Sequence, residues 1–337
     1  MYPRRTTISF TMPSPLIIDP EIFSEHAIAD DTAAAVASLE TMLTKAPSLC
    51  DLPIDVVRNA LRGGVGPLAM ETEDPGATWR TVEAGGVSVR LREFAVDAPR
   101  GVYLHMHQGG FCFGAADFQD QTLRKLANDL GVTVLSVDYR LAPENPWPAP
   151  PDDCEAAARW LVANAAMEFG TDKIIIGGES AGAYYAVISM LRLRDRDGFT
   201  GWAGANLSYG PYDMSMGPAL RNWGVRDLIL NTRVCAYFGE LLLPPDRWSL
   251  EDRRAPEISP LFAQLHDMPP ALFTIGTLDP MIDDTMFMAA RWIAAGGEAD
   301  LAIYPGGVHL FDRLPIGIAR DAKARMRDFM SARLSSL

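Results

Sequence analysis

The chain has 337 residues, 48% of them hydrophobic, which suffices for one large domain with a sizeable core and a smaller appendage. Its 43 acidic residues against 30 basic ones leave a net charge of −13, a surface that repels phosphate backbones and anionic membranes and so excludes nucleic acid as a partner. The four cysteines, Cys50, Cys112, Cys154 and Cys235, form no C-x-x-C pair and no zinc-type spacing with histidine, so they are expected as small buried thiols, with no metal.

At the N-terminus, Arg4 and Arg5 look like a signal n-region, but Ser9, Thr11, Pro13, Ser14 and Pro15 break up the next residues before an apolar stretch develops. No apolar run is long enough to span a bilayer, so no membrane insertion and a cytoplasmic location are expected. The stretch to about Met70 reads as helical. Asp30 and Asp31 stand where an N-cap is wanted, and Val36, Leu39 and Leu43 follow on one helical face.

From Val87 the texture changes. Val87, Val89, Leu91 and Phe94 lie in a mostly alternating segment, which predicts a half-buried strand. Short apolar runs then predict buried strands at 102–106, 132–137, 174–176, 203–207, 271–275 and 301–304. Helical patterns separate most of them, at 119–130, at 152–167 with Ala156, Trp160 and Ala163 on one face, and at 283–295 with Met286, Ala290 and Ile293. Strands alternating with helices imply βαβ units and a mainly parallel sheet. The interval between Leu207 and Ala271 breaks the alternation. It holds Met214, Met216, Trp223, Tyr237, Phe238 and Leu241 to Leu243, and is too long for a structureless loop. An inserted helical element over one edge of the sheet is expected, with extra core as the alternative.

Chemistry follows the strands. After 102–106 comes His107-Gln108-Gly109-Gly110, where adjacent glycines let backbone N–H groups approach a substrate oxygen; a plain glycine turn is the alternative. After 174–176 comes Gly178-Glu179-Ser180-Ala181-Gly182, leading into a plausible helix. G-x-S-x-G in strand–turn–helix context is the nucleophile elbow of α/β-hydrolases. A Cβ at either flanking glycine would clash with backbone, and the helix behind Ser180 favours an oxyanion. The N–H of Ala181 would join those of Gly109 and Gly110. Of His26, His105, His107, His266 and His309, a base must follow Ser180 in this order of residues. His266 precedes a strand, at the wrong sheet edge, so His309 is chosen. His107 is expected to hold its loop by hydrogen bonds, and Glu179 to make a supporting one. Asp279 comes first after 271–275, while Asp283 and Asp284 look like helix caps. All four features follow strands, whose C-terminal ends share one edge of a parallel sheet.

This set resembles the hormone-sensitive lipase family of esterases. The marks are His107–Gly110, Gly178–Gly182, Asp279-Pro280-Met281 and His309-Leu310-Phe311. Asp138-Tyr139-Arg140-Leu141-Ala142-Pro143-Glu144 matches a family segment that supports the oxyanion loop. The similarity runs from about Val87 to the C-terminus. It implies an α/β-hydrolase fold: residues 71–208 and 257–337 as catalytic domain, 209–256 as inserted helical cap, and 1–70 as a helical segment contributing to that cap. It also implies no cofactor, with activity on short and medium acyl esters. Departures are Gln108 and Leu310, where the family usually has glycine, and Ala183-Tyr184, where it often has Gly-Asn.

The mechanism implied is acyl transfer through an acyl-enzyme on Ser180, with His309 as base and Asp279 orienting it. A small-molecule ester is the expected partner. A homodimer is neither required nor excluded by the sequence. A lactonase, amidase or carbamate hydrolase would use the same residues, and a ligand-binding member of the fold would bind without turnover. The pocket is expected to be apolar, of limited depth, at about 300–1,000 Å³.

Overall fold

The computed structural model describes residues 16–66 and 69–335. The segment read as an interrupted n-region, from Arg4 to Pro15, lies outside the described residues.

Two helices open the described chain, α1 (Asp30–Lys45) and α2 (Ile54–Arg62). In α1, Val36 and Leu39 are buried as their spacing predicts. Asp30 and Asp31 do not cap it. Ala29 is the N-cap, and the two acids sit in the first turn, where they meet the positive end of the helix dipole. There follow β1 (Thr78–Ala84), β2 (Val87–Phe94), β3 (Val102–Met106), α3 (Asp120–Leu130), β4 (Thr133–Asp138), α4 (Ala149–Phe169), β5 (Ile174–Glu179), α5 (Ala181–Asp197) and β6 (Gly204–Ser208). The long interval carries α6 (Pro218–Trp223) and α7 (Thr232–Leu242). The chain then returns through β7 (Ala271–Leu278), α8 (Ile282–Ala294), β8 (Ala299–Val308) and α9 (Gly317–Ser335).

Among the described residues, eight strands form one sheet in the order β1-β2-β4-β3-β5-β6-β7-β8. β1 and β2 are antiparallel, β2 runs antiparallel to β4, and the rest are mutually parallel. Strand periodicity divides the core in two. Tyr103, Val134, Ile175 and Leu272 face α3 and α9, packing with Leu123, Ala127, Phe329 and Met330. Leu104, Leu135, Ile176 and Phe273 face the other way, toward α4, α5 and α8.

Two helical faces differ from expectation. In α4, Ala156 is buried and Trp160 half-buried as expected, but Ala163 is exposed, and the buried side extends through Cys154, Ala157, Ala158, Leu161 and Ala165. In α8 it is Thr285, Met288, Ala289 and Trp292, with Ala290 exposed. Both helices are apolar on more than one face, so spacing alone does not say which side the sheet covers.

Candidate active site

Parallel pairing brings the ends of four strands together. Met106 of β3 lies opposite Gly178 of β5, so the loop after β3 borders the turn after β5. Between β7 and β8 the register slips. Gly276 pairs with Tyr304, yet Leu278 pairs with Val308, because Pro305-Gly306-Gly307 bulges out of β8. The slip makes the next residues, Asp279 and His309, neighbours.

Those neighbours complete a hydrogen-bonded chain. Ser180 Oγ lies 2.9 Å from His309 Nε2, and His309 Nδ1 lies 2.8 Å from Asp279 Oδ2. Asp279 is wholly buried, and its Oδ1 accepts the Met281 N–H at 2.8 Å. A carboxylate at Nδ1 fixes that nitrogen as the N–H donor, which leaves Nε2 as the acceptor facing the serine hydroxyl. Tyr209 meets the imidazole edge-on, centroids 4.8 Å apart, and donates its hydroxyl to Asp312 Oδ1 at 2.7 Å.

Ser180 has φ 54° and ψ −120°, a conformation that L-residues hold only when their surroundings impose it. Here the surroundings are β3 and β6. The Ser180 N–H donates to Ser208 O at 2.9 Å, and a Cβ at either Gly178 or Gly182 would run into the Met106 carbonyl. α5 begins at Ala181 and aims its N-terminus at the space before Ser180.

The loop after β3 presents its backbone to the same space. Gly109 and Gly110 have φ of 137° and 55°. A Cβ on Gly110 would enter the Phe238 ring, and one on Gly109 would meet the Phe113 carbonyl. Arg58 of α2 braces this loop from outside, donating to Cys112 O and Ala142 O at 2.8 Å each. His107 is buried, stacks on Tyr139 with centroids 4.0 Å apart, and places Nδ1 2.7 Å from Gln108 O. Burial pushes its imidazole down to about 4, so it is neutral at neutral pH. Asp138 pairs with Arg90 at 2.6 Å and lies 3.5 Å from the Ala116 N–H. Burial works against the Glu179 carboxylate, but His105, 2.9 Å from Oε2, and Gln119 hold its carboxyl below the usual range.

The space before Ser180 is a cavity of about 60 Å³, smaller than the sequence led one to expect. The inserted segment closes it with Met214, Met216, Leu220, Ile229, Leu230 and Phe238. His266 is exposed just ahead of β7, at the opposite edge of the sheet. Among the described residues no three His, Cys, Asp or Glu side chains are grouped to hold a metal, and no helix is long and apolar enough to cross a membrane.

A family model described as alpha/beta hydrolase fold matches residues 103–313. The carboxylic ester hydrolase LipN of Mycobacterium tuberculosis is 30% identical over 299 residues, 85% of this chain and 71% of that protein. The chain belongs to the hormone-sensitive lipase family of the α/β-hydrolase superfamily. It is a carboxylic ester hydrolase. An acetyl esterase of Salmonella paratyphi A is 29% identical over 272 residues, 78% of this chain and 82% of that one. The crystal structure of a hormone-sensitive lipase from a metagenome library superposes with a TM-score of 0.77 at 30% identity, covering 90% of this chain and 99% of the other.

Within this lipase family, the three departures have structural consequences. Leu310 adopts the left-handed conformation, φ 63°, that glycine holds without strain; its near-complete burial offsets a strain of about 1–2 kcal/mol. Tyr184 donates to Ile258 O at 2.7 Å and packs edge-on against Phe111, tying α5 to the loop after β3. Gln108 lines the cavity, and its Oε1 is buried without a partner. Sequence reasoning missed Arg58, a lone residue on α2, and Tyr209, the first residue after β6.

Proposed function

We propose that the chain hydrolyses esters of short acyl groups through a covalent acyl-enzyme on Ser180. The observation that carries this is the unbroken chain Ser180 Oγ, His309, Asp279, with both contacts under 3 Å and the acid out of water. His309 Nε2 takes the serine proton as Oγ attacks the ester carbonyl. Asp279 holds the imidazole and stabilises it once charged. The N–H groups of Gly109, Gly110 and Ala181 receive the oxyanion, each worth roughly 3 kcal/mol in such sites. Collapse expels the alcohol, which takes the proton from His309. Water then enters by the same route and releases the acid.

The acyl limit follows from the cavity, whose volume of about 60 Å³ suits a chain of a few carbons. The acetyl esterase among the relatives agrees with it. We further propose that residues 209–256 and the N-terminal helices act together as a cap over the catalytic domain of 71–208 and 257–337. Supporting this, Arg226 pairs with Glu40 at 3.0 Å and Arg233 with Asp51 at 2.6 Å. Such exposed pairs mark adjacency more than they stabilise.

A series of p-nitrophenyl esters of rising chain length, with the Ser180→Ala variant alongside, tests the proposal. Acetate to butyrate should be the best substrates, and Ser180→Ala should lose about 10⁶ in kcat. A folded Ser180→Ala protein with near-wild-type turnover, or a preference for long-chain esters, would contradict it. Lactones and amides in the same series decide between ester hydrolysis and the other uses of this chemistry.

A further inference from the structure

Arg253 is a charged group in the cavity that hydrolysis of a plain acyl ester leaves unused. It sits in the 3-10 turn Asp252–Arg254 and lines the same space as Ser180 and His309. Only 4% of its surface is exposed. Nη2 donates to Leu243 O at the end of α7, 2.8 Å away. Nη1 lies beside Gly239, which lacks a side chain there, and Nε is buried with no acceptor.

Among the described residues, no carboxylate comes within ion-pair distance of this guanidinium, although its neighbour Arg254 has Glu251 at 3.4 Å. Asp213 also lines the cavity, but its Oδ1 is occupied by the N–H and hydroxyl of Ser215, at 2.8 and 2.6 Å. Burial draws Arg253 below its ordinary value, with exposed Glu240 opposing weakly, and an arginine so placed still stays charged. A cation in an apolar pocket without a counter-ion is unfavourable, and one carbonyl does not offset it. Planar guanidinium with free donors is the group that best matches a carboxylate.

We infer that Arg253 selects esters that also carry a carboxylate, on the acyl or the alcohol side, which docks on its free N–H groups while Ser180 attacks the ester carbonyl. The small cavity restricts the substrate to half-esters of short dicarboxylic acids or O-acyl derivatives of short hydroxy acids. The reaction itself is unchanged, one water consumed and one acid and one alcohol released. This rests on the esterase reading of Ser180 given above.

Two matched pairs test it, monoethyl succinate against ethyl valerate and acetoxyacetate against propyl acetate, with acid release titrated at constant pH. In at least one pair the charged member should lead in kcat/KM by about 10- to 100-fold, the worth of a charge-assisted hydrogen bond. Arg253→Met should bring that ratio to one or below, and Arg253→Lys should keep part of it. A structural role for Arg253 would lower both members of a pair together and leave the ratio alone. Preference for the neutral member in both pairs overturns the inference without any variant, so a poorly folding Arg253→Met protein does not shelter it. A charged-substrate preference that survives in Arg253→Met overturns it too. Equal rates for wild type and Ser180→Ala on all four esters would instead overturn the esterase reading beneath it.

Discussion

Two aspartates four positions apart serve different partners. Asp279 Oδ2 holds His309, whereas Asp283 Oδ2 accepts the Ala219 N–H at 2.7 Å. Asp283 is therefore a cap, as its sequence position suggests, but of α6 and not of its own helix. Asp279→Asn keeps the shape while favouring the wrong histidine tautomer, and should lose about 10⁴ in kcat in a folded protein. Asp283→Asn keeps an acceptor oxygen, so it should stay largely active and lose only a few tenths of a kcal/mol. Steady-state kinetics and thermal melts of the two variants check this, and reversed results would make Asp283 the acid. Ser180, Asp279 and His309 were legible because each is the first residue after a strand on the shared edge. Arg58 and Tyr209 were not, since the groups they bind lie 54 and 103 positions away in the chain.

Among elements, the parallel strands read clearly from their apolar runs. β1 did not, because Thr78, Arg80 and Glu83 interrupt it, although Gly85-Gly86 between Ala84 and Val87 is a two-residue hairpin signal. The insertion was legible as helical, but its fastening was not. The buried Asp284 accepts both the Tyr212 and Asp213 N–H groups at 2.6 Å, where the chain leaves β6. Burial first, and then the carboxylates of Asp213 and Asp283, raise the Asp284 carboxyl from 3.8 to about 8 against the pull of those N–H groups. The folded chain thus holds this proton more tightly than the unfolded one. Its contribution to stability is complete below the ordinary carboxylate value and is lost as pH rises through about 8, at about 1.4 kcal/mol for each pH unit between the two values. Asp284→Asn offers the same acceptor without the charge. Its melting temperature should fall less than that of the wild type between neutral pH and a pH above 8. Parallel profiles for the two proteins would show that Asp284 does not carry this dependence.

At the scale of the molecule, the fold class was readable because strand and helix periods alternate along most of the chain, and right-handed crossovers leave few ways to arrange them. Cavity size was not readable. It depends on how deeply Met214, Leu220 and Phe238 descend toward Ser180, which the periodicity of the insertion does not encode. Everything proposed for this site requires the acyl group to pass through Ser180. The most direct test mixes the protein with p-nitrophenyl acetate, quenches in acid during turnover, and maps the modified peptide by mass spectrometry. One added acetyl group should be found on Ser180 in the wild type, and none on the same peptide of Ser180→Ala. Turnover with no adduct on Ser180, or with the acetyl group on another side chain, would contradict a Ser180 acyl-enzyme.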